Sequence, residues 1–413
     1  MGRRVVVTGL GAITPVGNDV ATTWQSLLGG VSGGALITKF DASTFKVKFA
    51  CEVKGFDPLL YMERKEAKRA DLFTQYALAA SVEAMRDAGL EKGGYVAEDC
   101  GVIVGSGIGG LATMEEQHTA LMESGNRRIS PFFVPMFIAD IAAGIVSMRF
   151  GAKGPNFATM SACATSAHAI GESFRTIAYG DADIMIAGGS EAAVLPMAIG
   201  GFGNMTALSE RNDSPATASR PFDATRDGFV LGEGAGIVVL EDLEHAKRRG
   251  ARIYGEVVGY AATGDAYHLT GQPDAHEGLQ RSMRKAMKDG GLAPTEIDYV
   301  NAHGTSTPLN DPNEIKAIKA VFGDHAYKLS VSSTKSATGH MLGAAGSVEF
   351  IACALAIRDN IIPPTINYSV PDAECDLDVT PNTPRGREVN VTLSNSSGFG
   401  GHNVSLALRR WHE

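Results

Sequence analysis

The sequence has few cysteines, and none of them are paired at the Cys-x-x-Cys spacing of metal and redox sites. The five cysteines stand at positions 51, 100, 163, 353 and 375. An odd number of widely spaced cysteines favours neither a disulfide framework nor a zinc site. Reduced thiols fit a cytosolic compartment, so we expect a cytoplasmic protein without a bound metal.

Long runs of basic residues and long unbroken apolar segments are also missing. Charged residues make up 20% of the chain and the formal net charge is −9, which argues against a nucleic-acid partner. The uncharged stretches 154–171 and 192–209 are interrupted by Gly, Pro, Ser and Asn, so neither predicts a membrane span. The chain passes from Arg3-Arg4 directly into Val5-Val6-Val7, without the apolar core of a signal peptide. We expect no membrane partner, and an acidic protein partner would require a local basic patch.

A glycine-rich loop at 106–110 lacks both common phosphate-binding patterns. It follows a buried strand predicted at 101–105 and contains neither GxGxxG nor GxxxxGK. A nucleotide site at this loop therefore has little support. The 49 glycines cluster beside apolar runs, and 44% of the residues are hydrophobic, which favours a large core with tight turns.

Strands and helices recur in a similar order in the two halves of the chain. Each half ends as a helix, a strand, a glycine turn and a strand, so we predict a duplicated α/β fold with halves 1–250 and 251–413. A long irregular insertion at 189–235 is typical of a functional loop. The predicted strands cover 5–8, 101–105, 183–187, 237–240, 253–260, 297–302, 329–333, 389–394 and 403–409. The predicted helices cover 20–28, 72–88, 241–250, 276–289, 311–322 and 342–357.

Cys163 lies among small residues at the start of a predicted helix. The stretch 159–168 follows a Gly-Pro-Asn turn at 154–156, and Gly180 ends the helix. Free backbone N–H groups at a helix start favour a thiolate, so we expect the pKa of Cys163 to lie well below about 8.5. From this stretch alone, a buried structural cysteine is an equal alternative.

Two histidines follow predicted buried strands in the second half, where glycine turns begin. His303 lies in Asn301-Ala302-His303-Gly304, and His340 lies in Lys335-Ser336-Ala337-Thr338-Gly339-His340. A lone histidine is more often structural, but loops after strands commonly carry function. The next helix is predicted to start with a capping box, with Asp311 as the N-cap, Pro312 at the first position and Glu314 at the third.

With Gly398-Phe399-Gly400-Gly401, these segments resemble the β-ketoacyl-acyl-carrier-protein synthases of the thiolase-like superfamily. The resemblance spans nearly the whole chain, and Gly107-Ile108-Gly109-Gly110 is most similar to the type II enzymes, which elongate long acyl chains. It implies an α-β-α-β-α layered fold, a homodimer and a decarboxylative Claisen condensation. The substrates would be carried on the phosphopantetheine of an acyl carrier protein, and no other cofactor is implied.

The resemblance also implies roles for individual residues. Cys163 would be the nucleophile, His303 and His340 would donate from Nε2 to an enolate, and the N–H groups of Cys163 and Phe399 would form the oxyanion hole. Lys335, paired with Glu349, would hold the His340 loop, and Phe399 would also act as a gate. The expected substrate-binding residues are Ile108 in the acyl pocket, Phe202, Thr305 and Thr307 on the pantetheine arm, and Gly400. The expected carrier-docking residues are Lys65, Lys68, Arg69, Arg127 and Arg128, although a solvated helix face also explains the first three.

One local departure and several alternatives accompany this interpretation. Asn310-Asp311-Pro312 stands where the family often has Gly-Asp-Lys. A degradative thiolase would need a second cysteine in a C-terminal Cys-x-Gly, and Cys375 lies outside the matching loop. His340 disfavours the Cys-His-Asn sites of type III and plant polyketide synthases. A non-catalytic chain-length partner would lack Cys163, and a redox sensor would need a resolving cysteine; a type I or polyketide-type ketosynthase stays open.

Overall fold

The structure, a computed structural model, describes residues 2–412. Most of its strands belong to one large sheet, and four short ones form two small separate sheets. The strands are β1 (Val5–Ile13), β2 (Gly34–Leu36), β3 (Phe49–Cys51), β4 (Cys100–Gly105), β5 (Asn156–Phe157), β6 (Ile184–Glu191), β7 (Gly234–Asp242), β8 (Gly255–Gly264), β9 (Tyr299–Asn301), β10 (Ser330–Ser332), β11 (Ile361–Ile362), β12 (Arg385–Gly386), β13 (Val391–Gly398) and β14 (His402–Arg409).

The predicted helices are present, but the structure also contains substantial helices that the sequence did not predict, at 111–124, 141–150 and 196–204. The last of these lies in the insertion at 189–235, and the predicted boundary at residue 250 lies between the helix Leu243–Arg248 and β8. The helices are α1 (Val20–Leu28), α2 (Arg64–Ala67), α3 (Leu72–Asp87), α4 (Leu111–Ser124), α5 (Phe133–Phe137), α6 (Ile141–Phe150), α7 (Thr165–Tyr179), α8 (Pro196–Asn204), α9 (Leu243–Arg248), α10 (Glu277–Asp289), α11 (Asn310–Phe322), α12 (Lys335–Thr338) and α13 (Ala345–Asp359).

The large sheet contains the same five-strand arrangement twice. Its order is β10-β9-β13-β14-β8-β1-β7-β6-β4-β5. In the first half β5, β4 and β6 are parallel, and β7 and β1 follow in antiparallel pairs. In the second half β10, β9 and β13 are parallel, and β14 and β8 follow in antiparallel pairs. The two arrangements join where β1 pairs with β8, so the predicted duplication is confirmed.

Helices cover both faces of each half, which gives the expected α-β-α-β-α layers. Helices α3 and α6 pack on the outer face of the first half, and α10 and α11 pack on the outer face of the second. Helices α7 and α13 pack together in the central core. Alternate residues of a strand face opposite sides of the sheet. Accordingly, Ile184 and Ile186 of β6 face the outer helices, whereas Met185 and Ala187 face the central layer.

The predicted capping box before α11 is wrong. The helix begins at Asn310, and its N-cap is Leu309, without a side-chain cap. The Asp311 carboxylate accepts from the backbone N–H groups of Phe222 and Ser306. The Glu314 carboxylate accepts from the N–H groups of His303 and Gly304, each at 2.8 Å. Both carboxylates are fully buried. They accept from backbone N–H groups of neighbouring loops, because a buried N–H group needs a hydrogen-bond partner.

Within residues 2–412, no helix is both long enough and apolar enough to cross a membrane. All five cysteines are buried and free.

Candidate active site

Two matching turns bring the halves of the molecule together at one site. Residues 162–164 form a single 3₁₀ turn before α7, and residues 342–344 form another before α13. The first residues of the two turns, Ala162 and Leu342, differ in type but share a left-handed backbone, with φ of 49° and 45°. The helices meet just behind the turns, where the Ser347 N–H donates to Ser166 Oγ at 2.9 Å. The predicted shared site between two helix starts is therefore present.

A cavity of about 340 Å³ opens at these turns. It brings together most of the predicted catalytic and substrate-binding residues, although these residues come from distant parts of the chain. Its lining includes Ile108, Cys163, Phe202, His303, Thr305, Thr307, His340 and Phe399. Gly400 is not among the lining residues; its N–H donates to the Leu269 carbonyl at 2.7 Å.

The Cys163 thiol is buried against the glycine-rich turn that carries Phe399. The side chain is 8% exposed, and the Phe399 backbone N–H donates to its sulfur. Burial raises the pKa of the thiol to about 12, although the Lys335 ammonium and this hydrogen bond act in the opposite direction. The expectation of a lowered pKa is therefore wrong, because loss of solvent outweighs the stabilisation that a helix start gives a thiolate. A raised pKa favours the neutral thiol form of Cys163 over the thiolate at pH 7.

His303 and His340 face each other across the cavity, with ring centroids 5.3 Å apart. Burial, and then the charge of Lys335, hold the pKa of both imidazoles well below the usual range, so both rings are neutral. The Lys335 ammonium lies 3.4 Å from His303 Nδ1. Because an ammonium can only donate, Nδ1 is the acceptor and the ring proton is on Nε2. His303 is therefore a neutral Nε2–H donor.

Lys335 does not line the cavity but supports it from behind. It is 1% exposed and forms a buried ion pair with Glu349, as the resemblance implies. Its ammonium also donates to the His303 carbonyl oxygen at 2.6 Å. A buried charge requires such partners, so Lys335, Glu349 and His303 form one electrostatic unit.

A buried carboxylate that sequence analysis missed joins the glycine-rich loop at 106–110 to the turn at 342–344. Glu191, at the end of β6, accepts from the N–H groups of Gly107 and Ile108 and from that of Gly343. It also accepts from Ser106 Oγ, and burial raises its pKa to about 7. It thereby ties the Ile108 loop to the turn that carries Leu342. Nothing in its sequence neighbourhood, Gly-Gly-Ser-Glu, distinguishes it from a surface glutamate.

The lining also contains polar residues that sequence analysis did not assign, among them Asp265, Thr270, Gln272, His276 and Asn310. The loop that carries most of them is bound to the Phe399 turn, since the Asp265 N–H donates to the Gly401 carbonyl at 2.8 Å. Of these residues, only Asn310 is distinguished in the sequence, because it departs from the residue that the family often has at this position. Among residues 2–412, no group of three or more His, Cys, Asp or Glu side chains is arranged to hold a metal ion.

The five predicted docking residues are exposed and come from two neighbouring segments. Lys65 lies in α2, and Arg127 and Arg128 lie in a short 3₁₀ helix after α4. The Arg69 guanidinium lies 4.2 Å from the Phe132 ring centroid, which links α2 to the second segment. This contact brings the segment that follows α2 close to the segment that follows Arg128.

Comparison with known families identifies both halves of the chain. The N-terminal domain of β-ketoacyl synthase matches residues 2–246, and the C-terminal domain matches residues 254–369. The chain is 53% identical over 408 residues to a 3-oxoacyl-[acyl-carrier-protein] synthase 2 of Coxiella burnetii, covering 99% of each chain. It is 52% identical over 409 residues to the protein of the same name in Synechocystis, covering 99% of this chain and 98% of that one.

Solved structures of ketosynthases have the same fold as this chain. A ketosynthase of a type II polyketide synthase, in complex with its acyl-carrier protein, is 36% identical with a TM-score of 0.93 over 100% of both chains. A β-ketoacyl synthase from Burkholderia phymatum is 34% identical with a TM-score of 0.93, covering 99% of this chain and 100% of that one. The fold and the site are those of a condensing acyltransferase, and the chain belongs to the β-ketoacyl synthase family.

Proposed function

We propose that this enzyme extends an acyl chain by two carbons, using malonyl-acyl-carrier protein in a decarboxylative Claisen condensation for fatty acid synthesis. The observation that carries the proposal is one buried cavity that holds the Cys163 thiol and two neutral imidazoles. The higher identity to the 3-oxoacyl-carrier synthases, 53% against 36% for the polyketide ketosynthase, favours fatty acid elongation over polyketide assembly.

The first half-reaction transfers the acyl group to Cys163. The sulfur attacks the carrier thioester, and the carrier thiol leaves with the proton that the Cys163 thiol gives up, relayed by a neutral imidazole. The nearby Lys335 ammonium stabilises the thiolate that forms transiently. The N–H groups of Cys163 and Phe399 bind the oxyanion of the tetrahedral intermediate.

The second half-reaction makes and uses an enolate. Malonyl-carrier loses carbon dioxide, and the negative charge develops on the thioester oxygen, which accepts from the Nε2–H groups of His303 and His340. Neutral donors suit this step because they stabilise the enolate without protonating its carbon. The enolate carbon attacks the acyl thioester, a carbon–carbon bond forms, and the Cys163 thiolate leaves. These residues supply every catalytic group, so we propose that no further cofactor takes part.

The cavity walls match the two parts of such a substrate. Ile108, Phe202 and Leu342 form an apolar side for the acyl chain, while Thr305 and Thr307 offer hydroxyl groups to the pantetheine arm. The five free, buried cysteines support a reducing, cytoplasmic location.

The direct test is product analysis with purified protein, acyl-carrier and radiolabelled malonyl-carrier. We expect a 3-oxoacyl-carrier two carbons longer than the primer, with one carbon dioxide released per product. Carbon dioxide release without chain extension, or no reaction with any acyl length, would contradict the proposed function.

We further propose that Lys65, Lys68, Arg69, Arg127 and Arg128 form one basic surface, and that this surface docks an acidic acyl carrier protein. The chain itself carries a net charge of −9, so an acidic partner is repelled unless it meets a local positive patch. These five side chains are exposed, which leaves their charges available to a partner.

Reversal of two of these charges, Lys65→Glu with Lys68→Glu, should raise the KM for acyl-carrier roughly tenfold and leave kcat at saturation unchanged. The KM of the wild-type enzyme should rise with salt. The matched control is Lys285→Glu with Lys288→Glu, which has the same spacing and charge change on the exposed face of α10. An equal effect of the control, or an equal loss with an acyl–coenzyme A primer, would refute docking at this surface.

We also propose that two copies of the chain form a homodimer along β5. This short strand lies at the edge of the large sheet, and a free edge can pair with another chain. Phe157 of β5 exposes its ring, and the segments before and after β5 in sequence also expose apolar side chains, namely Met122, Val134, Met160 and Met197. Sedimentation equilibrium should give about twice the chain mass of 43.3 kDa, and Phe157→Asp should shift it towards the monomer. A monomeric wild-type protein at micromolar concentration would exclude this assembly.

A further inference from the structure

The cavity has a polar side whose hydrogen-bonding capacity is not used within the protein. Gln272 and His276 both line it, in the segment that leads into α10. The Gln272 Oε1 atom and both ring nitrogens of His276 are buried, and none has a partner at hydrogen-bond geometry among the described residues; against the effect of burial, the Asn403 side chain acts to raise the pKa of His276. A buried polar atom without a partner costs about 1–3 kcal/mol, so such atoms in a substrate cavity point to a ligand group.

The orientation of the Gln272 side chain follows from its neighbours. The Asp311 carboxylate accepts a hydrogen bond at 3.1 Å from Asn310, which must therefore donate from Nδ2. Asn310 Oδ1 then accepts from Gln272 Nε2 at 2.8 Å. Gln272 Oε1 is left as an unused acceptor on a residue that lines the cavity. Asn310, which departs from the usual family residue, thereby fixes the Gln272 amide.

His276 offers the complementary group. Its side chain is fully buried, and burial lowers its pKa to about 4, so the ring is neutral and carries one N–H donor. Its closest carboxylate oxygen, Asp265 Oδ2, is 3.8 Å from Nε2, too far for a hydrogen bond. The backbone at Ala275 and His276 is left-handed, with φ of 51° and 48°, a conformation that costs free energy in residues other than glycine.

We propose that Gln272 and His276 form a subsite for a secondary amide of the thioester-bearing arm of the substrate. The amide N–H donates to Gln272 Oε1, and the amide carbonyl accepts from the His276 N–H. An amide requires one acceptor and one donor, which is the pair that this side of the cavity provides. Acyl and malonyl groups contain no amide, whereas a pantetheine arm contains two. The inference rests on the proposed function, since it assumes a pantetheine-borne substrate.

The test compares three malonyl thioesters in decarboxylation and condensation, namely those of pantetheine, N-acetylcysteamine and ethanethiol. They carry two amides, one amide and no amide. We expect Gln272→Leu and His276→Leu each to lower kcat/KM about five- to tenfold with malonyl-pantetheine, through the lost hydrogen bond. The amide-free thioester should react at the wild-type rate. If kcat/KM also falls with the N-acetylcysteamine thioester, the amide bound at this subsite is the one nearer to the sulfur.

Two controls separate recognition from misfolding. His276→Asn keeps a side-chain donor and tolerates a left-handed backbone, so it should retain more activity with malonyl-pantetheine than His276→Leu. His412→Leu removes an exposed histidine and should change nothing. An equal loss with all three thioesters, or no loss with any, would overturn the subsite. A wild-type protein that fails to condense malonyl-carrier would instead overturn the proposed function.

Discussion

Replacement of Cys163 by alanine should abolish condensation, lowering kcat at least about a thousandfold. In the proposed mechanism the Cys163 sulfur holds the acyl chain covalently, and without it the residual rate would have to come from substrate binding alone. The turn around Cys163 consists of small residues, so alanine fits and the fold should be kept. The measurement is acyl-enzyme formation by mass spectrometry, together with 3-oxoacyl product formation.

Cys163→Gln separates the two half-reactions. Its side-chain carbonyl can take the place of the acyl thioester carbonyl and accept from the Phe399 N–H, so the enzyme resembles its own acylated form. We expect malonyl-carrier decarboxylation to persist while condensation is lost. Adding His303→Leu to Cys163→Gln should remove the decarboxylation, because the Nε2–H donor for the enolate is lost.

The outcomes that contradict these roles are distinct. Turnover by Cys163→Ala at the wild-type rate would exclude the nucleophile. Decarboxylation that survives in the variant with both changes would exclude His303 as an enolate donor, while leaving the role of Cys163 intact. Circular dichroism and thermal melting of each variant show whether a loss reflects the chemistry or the fold.

The order of strands and helices could be predicted from the sequence because buried strands and amphipathic helices carry local patterns. The position of Cys163 before α7 and of His340 before α13 followed from the same patterns. The pKa of Cys163 could not be predicted in this way. A helix start is visible in sequence, but the degree to which a side chain loses solvent depends on segments such as 398–401, which are distant in the chain.

Side chains whose partners are remote were missed or misassigned for the same reason. Asp311 and Glu314 match a capping pattern, yet their carboxylates bind loops that tertiary structure brings to them. Glu191 joins the loop at 106–110 to the turn at 342–344, which are distant along the chain, since its carboxylate accepts from both Gly107 and Gly343. His276 has no motif at all. Its importance depends on a cavity that only the assembled fold creates.

Replacement of Lys335 by methionine should be the most destabilising of the changes considered. Methionine has a similar length but no charge, so it leaves the Glu349 carboxylate buried without its ion-pair partner. Loss of one partner of a buried pair costs about 3–5 kcal/mol. The His303 carbonyl also loses its donor, so we expect both a lower melting temperature and very low activity.

The destabilisation should depend on pH, with a sign that follows from Glu349. Burial raises the pKa of Glu349, and the Lys335 ammonium is what opposes this rise. Without the ammonium, the folded protein holds a proton on Glu349 that the unfolded chain releases above its own pKa of about 4.3. The folded state then binds more protons than the unfolded state, so stability falls as pH rises. The melting temperature of the variant should lie further below that of the wild type at pH 8 than at pH 5.5.

Lys335→Met combined with Glu349→Gln removes the charge from both members of the pair and serves as the control. We expect it to recover much of the stability and to lose the added pH dependence, because no buried carboxylate remains. Activity should stay low, since nothing then donates to His303 Nδ1 or holds the ring proton on Nε2. Wild-type melting behaviour of Lys335→Met, or full activity of the combined variant, would show that Lys335 neither stabilises this core nor positions His303.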